Sequence, residues 1–268
     1  MAVTRNQLVD VICALGVRGG DLMIAHSSYK SLGGVDGGPA AVAEALAASV
    51  APGGSMFVPT FTYGADAFDP ATSPSRDGVI TECVRKLPGA VRSLHPTHAV
   101  AGVGRDAAAI LEGHDRVHAF ARESPLWRLW ERDAWVLLIG VGHFANSAAH
   151  VAEELLEMPY LDRRRRARVM RADGSIEEVE LRRPGCSDSW NAVLDAPLRA
   201  RGAIREAIVG NAKLGLMRAR DVVDVTVELL RRDPETLLCD RSGCEACEQA
   251  RRMIVAKRQA TGEPPERK

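Results

Sequence analysis

A histidine and a carboxylate three residues apart form the pattern in this sequence that is best suited to chemistry. His150 and Glu153 follow an apolar run, in a segment with the pattern of a helix start. Residues three apart share a helix face, so Glu153 can hold one tautomer of the imidazole and raise its basicity. The pair is a candidate general base with its orienting group. Taken alone, it is better explained as an ordinary helix start with solvated charges.

The elements around this pair are those of an α/β protein. Short apolar runs at 21–25, 55–58 and 135–142 predict buried strands, and ligands bind at strand ends in such folds. Helical patterns alternate with these runs, which predicts a layered α/β/α architecture around a central sheet. The predicted helices span 5–15, 40–50, 78–85, 107–112, 125–131 and 147–156, and a helical pattern continues after residue 190 through 208 to 229.

Residues 160–182 differ in character from the rest of the chain. Two strand patterns flank the dipeptide Asp173-Gly174, which is typical of hairpin turns, so we predict a small β-hairpin insertion. Four consecutive arginines at 163–166 could contact phosphate. Charged faces are usually only solvated, and we favour that interpretation.

A loop rich in hydroxyl groups and glycine follows the first predicted strand. His26, Ser27 and Ser28 end that strand, and Gly33 and Val35 precede the next helical pattern. A strand, such a loop and a helix start together form a cradle of N–H groups and hydroxyls for an anion. The loop has neither the Walker A nor the Gly-x-Gly-x-x-Gly pattern. By itself, it is equally well explained as a flexible turn.

Composition and charge fit a soluble enzyme. The 268 residues include 35 Lys and Arg and 35 Asp and Glu, so the formal net charge is zero, which argues against a dominant nucleic-acid role. The N-terminus lacks a signal-peptide pattern, and no apolar stretch approaches the ~18 residues of a membrane span. We therefore expect a cytoplasmic protein without a membrane partner, with its six cysteines mostly reduced. We predict one domain over 1–250 and a flexible polar tail over 251–268.

Three cysteines near the C-terminus form a second candidate site. Cys239, Cys244 and Cys247 include a Cys-x2-Cys spacing that is typical of zinc ligands. A zinc site would require Cys186 or a histidine as the fourth ligand, and only part of a tetrahedral set is visible locally. We therefore predict no metal and favour free thiols at a helical C-terminus. A site with only cysteine ligands would in any case be structural and not catalytic.

The order and spacing of several short motifs resemble the aminoglycoside N3-acetyltransferase family, also called the antibiotic N-acetyltransferase superfamily. The resemblance covers residues 5–160 with specific motifs and, less specifically, the chain to about residue 240. The motifs are His-Ser-Ser at 26–28, Leu-Gly-x-Val-x-Gly-Gly at 32–38, Pro-Thr-Phe-Thr at 59–62, Phe-Asp-Pro at 68–70, Arg-Ser-x-His-Pro-Thr-His at 92–98, Ser-Pro at 124–125 and Asn-Ser-x-x-His-x-x-Glu at 146–153.

This resemblance implies a fold, a cosubstrate and a reaction. The family has an α/β architecture that is not of the GCN5 type, and it moves an acetyl group from acetyl-coenzyme A to an amine. We therefore expect acetylation of the 3-amino group of a 2-deoxystreptamine aminoglycoside, with antibiotic resistance as the result. A biosynthetic N-acyltransferase that uses an acyl-coenzyme A on a different amine is the alternative. The exact amine and the oligomeric state stay open.

Roles for individual residues combine this chemistry with the resemblance. A base must take a proton from the amine, and His150 is the candidate, oriented by Glu153. His26 is the second acid/base candidate, or it hydrogen-bonds the pantetheine arm, whereas His95 and His98 stay ambiguous. The resemblance implies coenzyme A contacts at His26, Ser27, Ser28, Gly33, Val35, Thr60, Ser93 and Thr97. The carboxylates that could meet a cationic acceptor are Asp66, Asp69, Glu153, Glu154 and Glu157.

Two other classes of protein are kept as alternatives. A serine hydrolase would use Ser27 or Ser28 as nucleophile and His150 as base. Glu153 or Asp69 would complete its triad, but the sequence lacks a Gly-x-Ser-x-Gly elbow. A binding module organised by the C-terminal cysteines would leave the motifs of the N-terminal half unexplained.

Overall fold

The structure is a computed structural model that describes residues 2–63, 67–171 and 173–261. In this described part of the chain, a mixed sheet of seven strands forms the centre of the molecule. A separate pair of strands forms a hairpin beside it. The strands in chain order are β1 (Leu22–Ser27), β2 (Ser55–Pro59), β3 (Val91–Arg92), β4 (Val100–Gly104), β5 (Trp135–Ile139), β6 (Arg164–Met170), β7 (Ile176–Arg182), β8 (Arg205–Val209) and β9 (Ala212–Arg218).

Helices connect these strands and cover both faces of the sheet. The α-helices are α1 (Arg5–Leu15), α2 (Gly38–Ser49), α3 (Val79–Val84), α4 (Ala107–Leu111), α5 (Pro125–Glu131), α6 (His150–Leu155), α7 (Trp190–Ala200), α8 (Ala219–Arg232) and α9 (Glu245–Thr261). Short 3-10 turns lie at Tyr29–Leu32, His114–Arg116, His143–Ala145, Ser147–Ala149 and Pro159–Asp162. Among the described helices, none is both long enough and apolar enough to cross a membrane.

Three parallel strands form the middle of the sheet and define the edge that carries the site. The strand order is β3-β4-β2-β1-β5-β9-β8, with β1 parallel to both β2 and β5 and with antiparallel pairing outside them. His26 pairs with Leu138, and Ser27 pairs with Ile139, at the carboxyl ends of β1 and β5. Loops that follow such ends converge at one edge of a parallel sheet.

Alternating side chains of the central strands build two hydrophobic cores, one on each face. Met23 and Leu137 pack with α1 and α2 on one face, whereas Ile24 and Val136 pack with α5 and α8 on the other. The alternation follows from the period of two in a strand. Burying each such side chain contributes about 1.5–3 kcal/mol. The predicted α/β/α layering is therefore confirmed.

The hairpin insertion is also confirmed, with its pairing fully antiparallel. Arg164 pairs with Arg182 at one end, and Met170 pairs with Ile176 at the other. An isolated bridge between Phe68 and Val169 joins the hairpin to the segment that follows β2. The insertion therefore stands next to the loops that emerge from the sheet.

Two predicted elements differ from the structure. The helical pattern after residue 190 is wrong over 205–218, which forms β8 and β9 at the edge of the sheet. The reason is a two-residue turn in which Gly210 adopts a φ of 56°, followed by alternation of buried and more exposed residues along the first part of β9. The expected flexible tail is helical as far as Thr261, because Ile254 of α9 packs into the core. Residues 262–268 lie outside the described part of the chain.

Candidate active site

The predicted pair of His150 and Glu153 is present as a short, buried hydrogen bond. The Nδ1 atom of His150 lies 2.6 Å from Oε2 of Glu153, whose side chain is 1% exposed. The Tyr160 hydroxyl donates a hydrogen bond of 2.9 Å to Oε1 of the same carboxylate. With Nδ1–H donating to a carboxylate, the lone pair of the imidazole lies on Nε2. The arrangement therefore presents Nε2 of His150 as the basic atom.

Burial and charge keep Tyr160 protonated. Loss of solvent and the neighbouring carboxylate of Glu153 raise the pKa of Tyr160 well above its usual value. The phenol is therefore a permanent hydrogen-bond donor to Glu153. Both oxygens of this carboxylate are hydrogen-bonded within the protein, so Glu153 is held in place against the imidazole of His150.

Aromatic rings hold the imidazole of His150 in place. Phe120 stacks on it with ring centroids 4.3 Å apart and an interplanar angle of 12°. Trp190 packs against it at 4.5 Å with the rings tilted by 59°. Both aromatic side chains are buried. A ring packed in this way loses little further freedom when a substrate binds.

The chain between β5 and α6 explains how the pair reaches this position. After Ile139, Gly140 turns the chain with a φ of 59°. A Cβ atom at this position would lie 1.7 Å from the Ser31 hydroxyl, so only glycine fits. Two 3-10 turns then lead into α6, whose first residue is His150. Glu153 follows one turn later on the same face, as the spacing predicts.

His150 opens onto a cavity of about 500 Å³ that also contains the end of β1. His26 and Ser27 line it, and burial lowers the pKa of His26 to about 3, so this imidazole is neutral. Among the described residues, none offers a hydrogen-bond partner to Nε2 of His26 or to the Ser27 hydroxyl. Buried polar groups without partners are rare, and their position on a cavity wall is typical of ligand-binding groups.

The other predicted cofactor residues near β1 lie behind this wall. The Ser28 N–H donates to the carbonyl of Ile139 at 2.9 Å, and Ser28 begins the first 3-10 turn. Gly33 ends that turn with a φ of 80°. Val35 packs into the hydrophobic core. These residues shape the loop that follows His26 and Ser27, and their contacts with coenzyme A stay predictions.

Three predicted hydroxyl contacts are engaged inside the protein. The Thr60 hydroxyl donates to a backbone carbonyl at 3.0 Å. Ser93 hydrogen-bonds Nδ1 of His114 at 2.8 Å, and Thr97 hydrogen-bonds Nδ1 of His98 at 2.7 Å. All three hydroxyls therefore position neighbouring groups in this structure. A direct role for them in cofactor binding stays a prediction.

The predicted acceptor carboxylates are not gathered in the cavity. Asp69 closes its own turn, where its carboxylate accepts hydrogen bonds from the Thr72 hydroxyl at 2.6 Å and from a backbone N–H. Glu154 lies 3.8 Å from Arg182, and it lines a separate cleft with Glu157. Asp66 lies outside the described residues. Of the carboxylates in this set that the structure describes, Glu153 alone hydrogen-bonds the candidate base.

A carboxylate that the sequence did not single out does line the cavity. Asp77 accepts hydrogen bonds from the backbone N–H of Phe61 at 2.6 Å and from the Tyr63 hydroxyl at 2.8 Å. Burial raises the pKa of Asp77 to about 6. Nothing in the local pattern before α3 indicated this residue, because the β2 loop that brings Phe61 and Tyr63 against it is distant in sequence.

The arginine run divides between solvent and cavity. Arg164 and Arg166 face Glu180 and Glu178 across the hairpin, as the solvated-face interpretation predicts. The alternate residues of the run point the other way. Three arginines line the cavity, namely Arg163, Arg165 and Arg183.

The guanidinium groups on the cavity wall have internal partners. Arg163 donates to the backbone carbonyls of Tyr160, Pro184 and Ala246 at 2.8, 2.8 and 3.0 Å. Arg165 donates to the carbonyl of Tyr63 at 2.6 Å. These contacts satisfy hydrogen-bond donors with neutral carbonyl groups, which leave the positive charges in place. The interpretation of the run as only a solvated face is therefore incomplete.

Of the two ambiguous histidines, His98 lines the cavity and His95 lies behind it. The ring centroids of these two residues are 5.8 Å apart, and burial lowers both pKa values well below the usual range. Nδ1 of His95 accepts hydrogen bonds from the backbone N–H groups of Thr97 and His98. His95 therefore shapes the turn, whereas His98 contributes a neutral imidazole to the cavity.

A cavity at the carboxyl end of parallel strands, with a carboxylate-supported histidine on its wall, defines an enzyme of the α/β class. The chain belongs to the aminoglycoside 3-N-acetyltransferase family, whose model matches residues 24–231. It is 35% identical over 234 residues to the aminoglycoside N(3)-acetyltransferase IV of Salmonella sp., and the match covers 86% of this chain and 88% of that protein. The chain is therefore an acyltransferase of this family, as the motifs predict.

Solved structures support the same conclusion. This chain superposes on the crystal structure of a mutant of the aminoglycoside acetyltransferase AAC(3)-IVa in complex with a gentamicin. The TM-score is 0.86 at 33% sequence identity, and the match covers 95% of this chain and 98% of that chain. The binary complex of AAC-IIIb with CoASH superposes with a TM-score of 0.78 at 25% identity, over 87% of this chain and 97% of that chain. The fold of this chain is thus the fold on which both kinds of ligand are bound in relatives.

Proposed function

We propose that this protein transfers the acetyl group of acetyl-coenzyme A to the 3-amino group of a 2-deoxystreptamine aminoglycoside. The observation that carries the proposal is the buried chain of Tyr160, Glu153 and His150, which ends on a cavity beside unpartnered polar atoms of His26 and Ser27. Relatives of this chain are named as aminoglycoside N(3)-acetyltransferases. Complexes of relatives with CoASH and with a gentamicin support the pair of substrates.

His150 acts as the general base in this mechanism. The amine nitrogen attacks the thioester carbonyl while Nε2 of His150 takes its proton, and the C–S bond then breaks to release the coenzyme A thiolate. The proton on the imidazole passes to this thiolate, which restores the base. The carboxylate of Glu153 stabilises the transient imidazolium through the 2.6 Å contact with Nδ1.

The end of β1 stabilises the thioester carbonyl as negative charge develops on its oxygen. The Ser27 hydroxyl is buried on the cavity wall and can donate a hydrogen bond to this oxygen. His26 is neutral because burial lowers its pKa to about 3, so it serves as a hydrogen-bonding group to the cofactor and not as a cationic acid. His150 is then the proton acceptor of the two histidines.

The charged side chains on the cavity wall affect which amine can bind as the acceptor. An aminoglycoside carries several ammonium groups, and a pocket for it requires ionised carboxylates. Asp77 supplies one such group, and with a pKa of about 6 it is ionised at neutral pH. Arg163, Arg165 and Arg183 on the same wall favour the second candidate, which is transfer of an acyl group to a less cationic or anionic amine.

A thiol-release assay separates these candidates. Acetyl-coenzyme A is incubated with the protein and with gentamicin, apramycin, simple amines or amino-sugar nucleotides, and free coenzyme A is measured. We expect release that depends on the aminoglycosides. Release of coenzyme A with another amine, and with none of the aminoglycosides, would instead support an N-acyltransferase that uses a different acceptor. Release without any amine, together with a trapped acyl-enzyme, would instead support the serine hydrolase.

A further inference from the structure

Four cysteine thiols from three distant segments meet at one point of the structure. One follows β7, one follows α8, and two stand at the start of α9. Their sulfur atoms all lie within 4.8 Å of one another, and three of the side chains are buried. We call this group the cysteine cluster, and its members are Cys186, Cys239, Cys244 and Cys247.

The distances within the cysteine cluster match a tetrahedral metal site. The Sγ atom of Cys186 lies 3.9 Å from Sγ of Cys239 and 3.9 Å from Sγ of Cys244. Zinc–sulfur bonds of about 2.3 Å in tetrahedral geometry require sulfur–sulfur separations of about 3.8 Å. A disulfide would bring two sulfur atoms to about 2.05 Å. The observed spacing therefore fits four ligands of one ion and not two disulfides.

A backbone N–H group and a tight turn accompany the thiols. The N–H group of Cys239 donates a hydrogen bond of 3.3 Å to Sγ of Cys247, a contact that stabilises a metal-bound thiolate. The turn that introduces the Cys-x2-Cys pair contains Gly243 with a φ of 75°. Arg251 of α9 donates to the carbonyl of Cys239 at 3.1 Å and to the carboxylate of Asp240 at 3.0 Å, so the segment that carries Cys239 is held against α9.

We propose that the cysteine cluster binds one zinc ion as a structural site. All four ligands come from the protein, so the metal has no open position and takes no direct part in acetyl transfer. The local spacing showed only three of the ligands. The fourth, Cys186, is brought to the site by the loop that follows the hairpin insertion.

The proposed zinc site would hold one wall of the cavity against the general base. Cys186 lines the cavity. Its neighbour Gly185 packs so closely on Glu153 that a Cβ atom at position 185 would lie 2.2 Å from Oε1. Arg163 connects the segment before Cys186 with the start of α9, because it donates to the carbonyls of both Pro184 and Ala246. Zinc would thus tether the segment 183–187 to α9 over the carboxylate.

Metal analysis of the full chain tests this inference independently of the acetyltransferase activity. The protein is purified without chelators under reducing conditions, and zinc is measured by mass spectrometry. We expect about one zinc per chain in the unmodified protein and in a Cys83→Ser control, and at most ~0.1 in Cys247→Ser. Cys83 is a suitable control because it lies in α3, outside the cluster.

Two measurements on the unmodified chain keep the inference testable if the variant does not fold. Cobalt in place of zinc should give the absorption of tetrahedral thiolate ligation. Removal of the metal by a chelator should lower Tm and raise the number of titratable thiols. Less than ~0.1 zinc per chain, a cobalt spectrum without thiolate bands, or disulfides between these cysteines in the native protein would overturn the proposal.

Discussion

At the scale of single residues, the proposed mechanism depends on His150 and on the groups that surround its ring. Glu153 accepts one hydrogen bond on each oxygen, from the imidazole of His150 and from the hydroxyl of Tyr160. Phe120 and Trp190 fix the plane of the ring. The carboxylate is predictable from spacing alone, whereas the two aromatic residues and Tyr160 come from segments whose proximity no local pattern encodes.

Replacing His150 by alanine should remove the base without removing the cofactor site. We expect His150→Ala to lower kcat by roughly 100-fold or more, with the Kd for acetyl-coenzyme A changed by less than about three-fold. Steady-state kinetics and calorimetric titration measure the two quantities. His118→Ala is the matched control, since His118 lies outside the cavity lining. An unchanged kcat in His150→Ala would move the role of base to His26.

Removing the Tyr160 hydroxyl should cost both stability and activity. Tyr160→Phe leaves one buried oxygen of Glu153 without its 2.9 Å partner, and an unsatisfied buried acceptor costs about 1–3 kcal/mol. Urea unfolding should show a loss of this size, with a smaller change in Tyr29→Phe, where Tyr29 lies beside the β1 loop. We also expect kcat to fall relative to Tyr29→Phe, because the Tyr160 hydroxyl donates to the carboxylate that contacts His150. Equal stability of both variants would argue against this role.

At the scale of elements, the strands and helices that carry local signals are the ones predictable from the sequence. The capping box of Thr4 and Gln7 marks the start of α1, and Ser124 caps α5 before Pro125, so both helices have the predicted bounds. The hairpin at 164–182 follows from its Asp-Gly turn. The edge strand β8 and its neighbour β9 are missed, because a short amphipathic strand pair and a helix share much of their composition.

The site is predicted less completely than the fold, for a physical reason. His26, Ser27 and His150 end or follow central strands, so strand order brings them together. Asp77 and Arg183 reach the same cavity through long-range packing of loops. A sequence shows which groups could act, but the partner of each group depends on contacts between distant segments.

The loop that follows the hairpin insertion should be sensitive to one added methyl group. Gly185→Ala would place its Cβ atom 2.2 Å from a carboxylate oxygen of Glu153, so the loop or the carboxylate must shift. We expect kcat to fall by about ten-fold or more, because a displacement of the base by ~1 Å can cost about 100-fold. Gly215→Ala is the control, since its Cβ would meet no atom closer than 3.7 Å. Equal kcat in both variants would contradict the close packing.

At the scale of the whole molecule, buried histidines link stability to pH. Burial lowers the pKa of His26 to about 3 and of His114 to about 4, and it lowers those of His95 and His98 well below the usual range. In the unfolded chain these groups titrate near pH ~6.5. Between these values the unfolded state binds more protons, so stability is complete above about pH 6.5 and is lost as pH falls.

The expected loss is about 1.4 kcal/mol per histidine for each pH unit below ~6.5. Asp77 acts in the opposite direction, because its pKa of about 6 lies above that of an unfolded aspartate. It therefore destabilises the folded state as pH rises from about 4 to 6. Burial also raises the pKa of Glu154, which acts in the same direction as Asp77. The four buried histidines outnumber these two carboxylates, so the free energy of unfolding in urea should be lower at pH ~5.5 than at pH ~7.5. Equal values at the two pH values would show that the histidines are not buried as described.

The layered arrangement of helices and sheet positions the residues of the candidate active site. The two cores pack against both faces of β1 and β5, and the carboxyl end of β1 and the segment after β5 bring His26, Ser27 and His150 to one cavity. The hairpin insertion and α9 close the cavity from outside the sheet. In the proposed mechanism, strand and helix ends carry the reacting groups, whereas the hairpin insertion and α9 contribute further residues to the cavity wall.

The position of the acetyl group on the product is the most direct test of 3-N-acetylation with His150 as the base. Gentamicin is incubated with acetyl-coenzyme A and the unmodified protein or His150→Ala, and the product is analysed by mass spectrometry and NMR. We expect one added acetyl group on the 3-amino nitrogen with the unmodified protein, and at most about one hundredth of that rate with the variant. Acetylation at another nitrogen, or an equal rate with His150→Ala, would contradict this expectation.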